Sequence, residues 1–455
     1  MAAVASLLKE SGVDVVGSDP FAYPPMGPHL DRLGIEVLPG WDESNLSGRE
    51  FDVVVVGNVA RRDNPEVVAA QNLGIPLVSM PQLIADQFIG ERTSLVVTGT
   101  HGKTTVTSMT AWLLQYAGLQ PGFMVGGIPK NFGKGYGLGK GDVFVIEGDE
   151  YDTAFFDKEA KFFHYKPKHA VMTSLEFDHA DIYRNIEHLK DTFRRFAALV
   201  PKSGSLSWCS EYDILEEIVG NSPSPSGSYG LAPGSDLRAV DIQSTTDGTS
   251  FRILQDNDSA STSLPMWGKH NVQNALAASA LALAAGVSLR SIAEGLRLFE
   301  GVKRRFDTVY NRNGIVVVDD FAHHPTAVRE TLAAARLRFP NQRLFACYHF
   351  ESNTSRRRIF LDDYSRALDD ADGILLTYPL VKTDSLKTEE TMDPLEVLEQ
   401  SRGGWEHSGA YRTMPEMADA LASILRPGDA VIAMSGRDFT PLYEALFPRL
   451  DSLSS

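Results

Sequence analysis

The chain has 455 residues, 59 acidic against 43 basic side chains, a net charge of −16 and 43% apolar residues. That length allows about three domains, each able to close a core without staples, and the acidic balance argues against bare nucleic acid or an anionic membrane as partner. Cys209 and Cys347 are the only cysteines, so no disulfide framework or thiolate zinc site is expected and a reducing cytoplasm fits best.

The opening MAAVASLLKE lacks the basic and apolar segments of a signal peptide and reads as a helix. A nucleotide-type α/β domain begins with a strand and a glycine-rich turn before its first helix. Here the strand VDVVGSD follows that helix, so the opening strand and turn are expected to be missing, a misassigned start codon being the simplest cause. The runs FDVVVVGN, TSLVVTGT, GDVFVIEGD, KHAVMTSLE, NGIVVVDDF, NQRLFACYHF, DGILLTYPL and DAVIAMSGR then alternate with helical patterns. Such alternation predicts parallel sheets covered by helices, the α/β class, with ligands gathered at strand C-termini. The stretch from Asn221 to Asp236, rich in Ser, Pro and Gly, is expected to be a loop of the middle domain. Val272 to Leu289 is alanine-rich and holds Gln273, Asn274 and two serines, which predicts a packed helix rather than a membrane span. The pattern pauses near Gln87 to Thr93 and again near Gly301 to Asn313, giving expected domains over 1–90, 91–302 and 303–455.

TSLVVTGTHGKTTVTSMTAWLLQYAG is a strand, a glycine-bracketed turn and an amphipathic helix. In that arrangement the amides of Gly99, Thr100, His101, Gly102, Lys103, Thr104 and Thr105 can face polyphosphate, Lys103 adds charge and the Thr104 hydroxyl can ligate Mg²⁺. An ATP site is expected here, although the GxxGKT spacing is two residues shorter than the general motif. Further on, Glu147 ends a strand and leads into more carboxylates, either a cation site or a solvated acidic loop. Asp178 and His179 follow another strand; for a hard ion, composition alone favours the oxygen of Asp178.

GTHGKTT, EGDEYDTAFFD, SLEFDHADIY, DDFAHHPTAV and HFESNTSRRR together resemble the Mur ligases, ATP-dependent amide-forming enzymes of bacterial cell-wall synthesis. The resemblance covers essentially the whole chain. It implies an N-terminal Rossmann-like domain without its first strand, a central P-loop ATPase domain and a C-terminal Rossmann-like domain. It carries over Lys103 and Arg305 as catalytic cations and Thr104, Glu147 and His179 as Mg²⁺ ligands. His270 and Asn271 would lie near adenine, and Asp320 and His323 near ribose and phosphates; Asn271 could instead be a helix N-cap, and His324 is expected to be structural. Asp19 would contact UDP. Ser352, Asn353, Thr354 and Arg356 would meet peptide carboxylates. Where several members carry a carbamylated lysine this chain has Phe193 and Arg194, and an arginine stays protonated. Within the family the motifs look most like the branch that ligates UDP-N-acetylmuramate to the recycled tripeptide L-alanyl-γ-D-glutamyl-meso-diaminopimelate, as a cytoplasmic monomer. The alternatives are the branch that adds free L-alanine, and a muropeptide-binding or nucleotide-binding protein without catalysis.

Overall fold

A computed structural model of the chain describes residues 1–22, 26–177, 182–379, 388–401 and 407–452. Every β-branched run named above forms a strand that pairs in parallel. They fall into the three domains of the expected α/β architecture, each built on its own sheet arrangement.

The central domain holds a ten-stranded sheet. Its middle is parallel, in the order Ser226–Gly230, Ser205–Cys209, His169–Met172, Thr93–Thr98, Val143–Glu147 and Gly122–Met124. An antiparallel meander of Leu237–Thr245, Gly248–Gln255 and Asp258–Leu264 extends one side. The strand Ser226–Gly230 corrects the expectation of a loop over 221–236. Tyr229 is buried there and its hydroxyl donates to the Met172 carbonyl at 3.2 Å. The glycine after it is imposed by a close neighbour: a Cβ on Gly230 would stand 2.1 Å from Ser210 Oγ. Strand formation here comes from the sheet on either side, which composition does not reveal.

Helices Lys103–Tyr116 and Lys269–Ala284 pack together on this sheet. The second is the expected alanine-rich helix, ending before Gly286 (φ +87°). Among the described residues no helix is long and apolar enough to cross a membrane.

The C-terminal domain has a six-stranded sheet in the order Asp307–Arg312, Ile315–Asp320, Asp429–Met434, Arg343–His349, Gly373–Thr377 and Gly409–Tyr411, antiparallel only at its first strand. At the other end of the chain the helix Ala2–Glu10 comes first, as expected. The strands after it form two separate parallel pairs, Val16–Asp19 with Glu36–Pro39 and Val54–Val56 with Leu77–Ser79. No strand among the described residues fills the position between them. Val4 and Leu7 of that helix are buried in the core of the central domain, and His29 Nε2 lies 3.0 Å from the Tyr136 hydroxyl.

Candidate active site

Three neighbouring parallel strands open their C-termini side by side: Thr93–Thr98 delivers Gly99 to Thr105, Val143–Glu147 delivers Glu147 to Glu150, and His169–Met172 delivers Thr173 to Glu176. Two glycines make the turn possible. Gly99 has φ +129°, and a Cβ there would come within 2.2 Å of Thr173 Oγ1; Gly102 has φ +81°, with Asn274 Oδ1 2.4 Å from where its Cβ would be. Both positions favour glycine on conformation and on space. Lys103 then starts a 14-residue helix, with its amine 2.6 Å from the Gly99 carbonyl and 2.9 Å from Glu150 Oε2. Burial works against the Lys103 charge, but Glu150 and Asp149 outweigh it and hold the amine above its ordinary pKa. Thr104 Oγ1 donates to Glu147 Oε1 at 3.0 Å, and Glu147 Oε2 also accepts the Gly126 N–H at 2.8 Å. A hydroxyl and a carboxylate converging in this way form an all-oxygen pair that suits a hard cation such as Mg²⁺.

The C-terminal domain closes the other side. Arg305 Nη2 lies 3.4 Å from Thr104 Oγ1, and burial depresses the guanidinium pKa against the pull of Asp320 and Glu147; arginine remains charged regardless. Asp320, at the end of the strand Ile315–Asp320, accepts N–H bonds from Phe306 and Ala322, both at 2.7 Å. Burial raises its pKa, and Arg305 pulls the other way. Between the two domains lies a cavity of about 610 Å³. Of the residues expected at a nucleotide, Thr100, His101, Gly102, Lys103, Thr104, Thr105, His270, Asn271, Arg305, Asp320 and His323 all line it, as does Glu147. Gly99 lies beneath, against Thr173. Asn271 is not the helix cap; Gly268 is, and the Asn271 amide instead donates to the Trp267 carbonyl at 2.7 Å. His323 Nδ1 sits 3.0 Å from the Phe321 carbonyl.

The expected substrate residues lie elsewhere. Asp19 is exposed at a strand end in the N-terminal domain and accepts the Phe21 N–H at 2.8 Å. Ser352, Asn353, Thr354 and Arg356 follow the strand Arg343–His349 and do not line the cavity. Ser352 bonds the Ser355 hydroxyl at 2.9 Å, Thr354 and Arg356 are buried, and Asn353 is exposed. Asp178 and His179 fall outside the described residues. Phe193 is fully buried 5.6 Å from the Phe162 ring, and Arg194 pairs with Asp191 at 2.5 Å, so neither offers an amine for carbamylation.

Sequence reasoning noted Glu176 beside Asp178 and His179 after its strand but gave it no role, and it assigned none to Glu150, Asn274 or Thr326; the fold brings all four to the same place. Glu150 stood in a visible acidic run. Nothing in the sequence marks which of those carboxylates would face Lys103, because the choice is made by a neighbouring strand. His324, expected to be structural, caps the helix Pro325–Arg338, with Nδ1 accepting the Thr326 N–H at 3.4 Å.

Family descriptions match along the chain in order: "Mur ligase family, catalytic domain" over residues 1–91, "Mur ligase middle domain" over 97–282 and "Mur ligase, glutamate ligase domain" over 304–437. The UDP-N-acetylmuramate–L-alanyl-γ-D-glutamyl-meso-2,6-diaminoheptandioate ligase of Escherichia coli K12 is 35% identical over 99% of this chain and 96% of its own length. The UDP-N-acetylmuramate–L-alanine ligase of Chlorobium phaeobacteroides is 34% identical over 98% of this chain and 94% of its own. Among solved structures, a murein peptide ligase from Psychrobacter arcticus superimposes with a TM-score of 0.73 at 31% identity, covering 99% of this chain and 96% of that one. Motifs, fold and full-length likeness agree, and the chain belongs to the Mur ligase family of ATP-dependent, amide-forming ligases.

Proposed function

We propose that this chain joins the lactyl carboxylate of UDP-N-acetylmuramate to the α-amine of L-alanyl-γ-D-glutamyl-meso-diaminopimelate, using ATP and Mg²⁺, as a cytoplasmic monomer in peptidoglycan recycling. Support for the substrates is the likeness to ligases named for that reaction. Support for the chemistry is one observation: Lys103, Thr104 and Glu147 of the central domain meet Arg305 and Asp320 of the C-terminal domain around a single cavity. The expected domains 1–90, 91–302 and 303–455 would then serve UDP, ATP and peptide respectively.

A carboxylate repels nucleophiles and has no usable leaving group. In-line attack of the lactyl carboxylate on the γ-phosphorus of ATP gives an acyl phosphate and ADP. Lys103 and Arg305 supply positive charge where negative charge builds on the phosphoryl oxygens. Mg²⁺, which Thr104 and Glu147 would hold together with His179, would neutralise phosphate charge when bound. His270 and Asn271 would orient adenine, with Asp320 and His323 at the ribose and phosphates. Asp19 would contact UDP, and Ser352, Asn353, Thr354 and Arg356 would receive the peptide carboxylates. The free amine then attacks the acyl carbon, and the tetrahedral intermediate expels phosphate to leave the amide. Enclosure between two domains keeps water from the acyl phosphate.

The comparable likeness to an L-alanine ligase gives a second reading of the amine substrate. Phosphate release from ATP, Mg²⁺ and UDP-N-acetylmuramate separates the two. The proposal expects release on adding tripeptide and little with L-alanine. The opposite preference would assign the second reading, and ATP binding without release in either case would make the chain a binding protein.

A further inference from the structure

Beside the phosphate cradle, side chains from three separate segments meet at one point. His101 of the phosphate turn places Nε2 3.1 Å from Glu176 Oε2, and His324 of the C-terminal domain places Nδ1 3.6 Å from the same oxygen. The two imidazole rings are 4.9 Å apart, and one ligand atom from each of the three residues lies within 4.8 Å of the others. Tetrahedral zinc with bonds of about 2.0–2.1 Å holds its ligand atoms about 3.4 Å apart. The two shorter separations bracket that edge already.

We propose that His101, Glu176 and His324 form a transition-metal site, two imidazoles and a carboxylate with a fourth position open to water, distinct from the Thr104–Glu147 pair. Two nitrogen ligands select Zn²⁺, Co²⁺ or Ni²⁺ over Mg²⁺. The surroundings are those of a held ligand set. Thr326 Oγ1 donates to Glu176 Oε2 at 2.8 Å and so orients the carboxylate, while Thr100 Oγ1 accepts the Glu176 backbone N–H at 2.9 Å and holds the segment that carries it. Burial opposes its charge, but the His101 hydrogen bond, the Thr326 hydroxyl and the nearby His324 outweigh this and bring its pKa down to about 2. Ligation would replace the 3.1 Å contact between His101 and Glu176 and the long 3.4 Å bond by which His324 caps its helix.

His101 and Glu176 belong to the central domain and His324 to the C-terminal one. A bound ion therefore links the two domains at the rim of the nucleotide cavity, which His101 and His324 both line. Micromolar zinc would hold one domain arrangement and inhibit a cycle that needs the domains to part.

Co²⁺ is the probe, added to the full chain with Mg²⁺ in excess, because tetrahedral Co²⁺ absorbs visible light far more intensely than octahedral Co²⁺. The proposal expects one strongly absorbing Co²⁺ per chain, displaced by Zn²⁺. Affinity should fall at least about tenfold in both His324→Ala and the isosteric Glu176→Gln, and persist in Glu147→Gln. Circular dichroism checks that each variant is folded. Absence of the intense bands in the wild type would overturn the site. So would bands unchanged in both His324→Ala and Glu176→Gln, or bands lost only in Glu147→Gln, which would place the ion at the Thr104–Glu147 pair.

Discussion

Replacing Lys103 with methionine keeps the length of the side chain and removes its charge. In the structure the amine is buried between the Gly99 carbonyl at 2.6 Å and the Glu150 carboxylate at 2.9 and 3.1 Å. Its raised pKa keeps it cationic at any working pH. A unit charge about 4 Å from a phosphoryl oxygen is worth about 4 kcal/mol at the effective dielectric of partly sheltered pairs. If that stabilisation is felt mainly in the transition state, the rate should fall about a thousandfold. The same change withdraws the cation facing Glu150, whose side chain is only 2% exposed, and should lower stability by about 3–5 kcal/mol. Phosphate release at saturating ATP reads the first effect and a urea titration the second, with circular dichroism confirming the fold. A variant that keeps more than about a tenth of the wild-type rate has lost under about 1.4 kcal/mol and would refute the assigned role.

Other expectations rest on single contacts. Arg305→Lys keeps the charge but loses the planar fork 3.4 Å from Thr104, so turnover should drop by at least about tenfold with the fold unchanged; near-normal turnover would show that only the charge matters. Gly102→Ala puts a methyl at φ +81° and 2.4 Å from Asn274 Oδ1, and ADP affinity measured by calorimetry should weaken by about 1–3 kcal/mol. An unchanged ADP affinity would mean the turn tolerates a Cβ after all. Burial lifts the Asp319 pKa from 3.8 to about 6, against the pull of Arg304. Because the folded-state value is raised, the stability linked to this group is complete below pH 3.8 and is lost as pH rises to about 6. Urea midpoints of Asp319→Asn should lack that component of the pH dependence; identical profiles for the two proteins would contradict it.

The legible parts of the sequence were those whose signal is local. β-Branched runs, a glycine-bracketed turn and the residues directly after a strand announced the parallel sheets and the phosphate turn, since strand, turn and helix are contiguous there. Family likeness then placed Arg305, Asp320 and His323, and the cavity does collect them. What stayed hidden was decided by neighbours distant in the chain. Apart from Tyr229, Ser226–Gly230 is polar and small, and it becomes a strand because Ser205–Cys209 and Leu237–Thr245 flank it. Asn271 has a helix-capping composition, yet Gly268 takes the cap. Glu176 and Thr326 are 150 residues apart and meet only because one domain folds down on the other.

The leading helix has a consequence for how the molecule comes apart. Val4 and Leu7 insert into their neighbour's interior, and Glu10 reaches Lys134 at 2.7 Å. Each such aliphatic anchor contributes about 2 kcal/mol, while the two short strand pairs behind it have little interior of their own, Val56 and Val67 clustering against Ala154 of the central domain. That lobe is a lodger rather than a free-standing unit. Excised as a fragment it would lose its footing, and in the intact protein it melts no later than the host that shelters it.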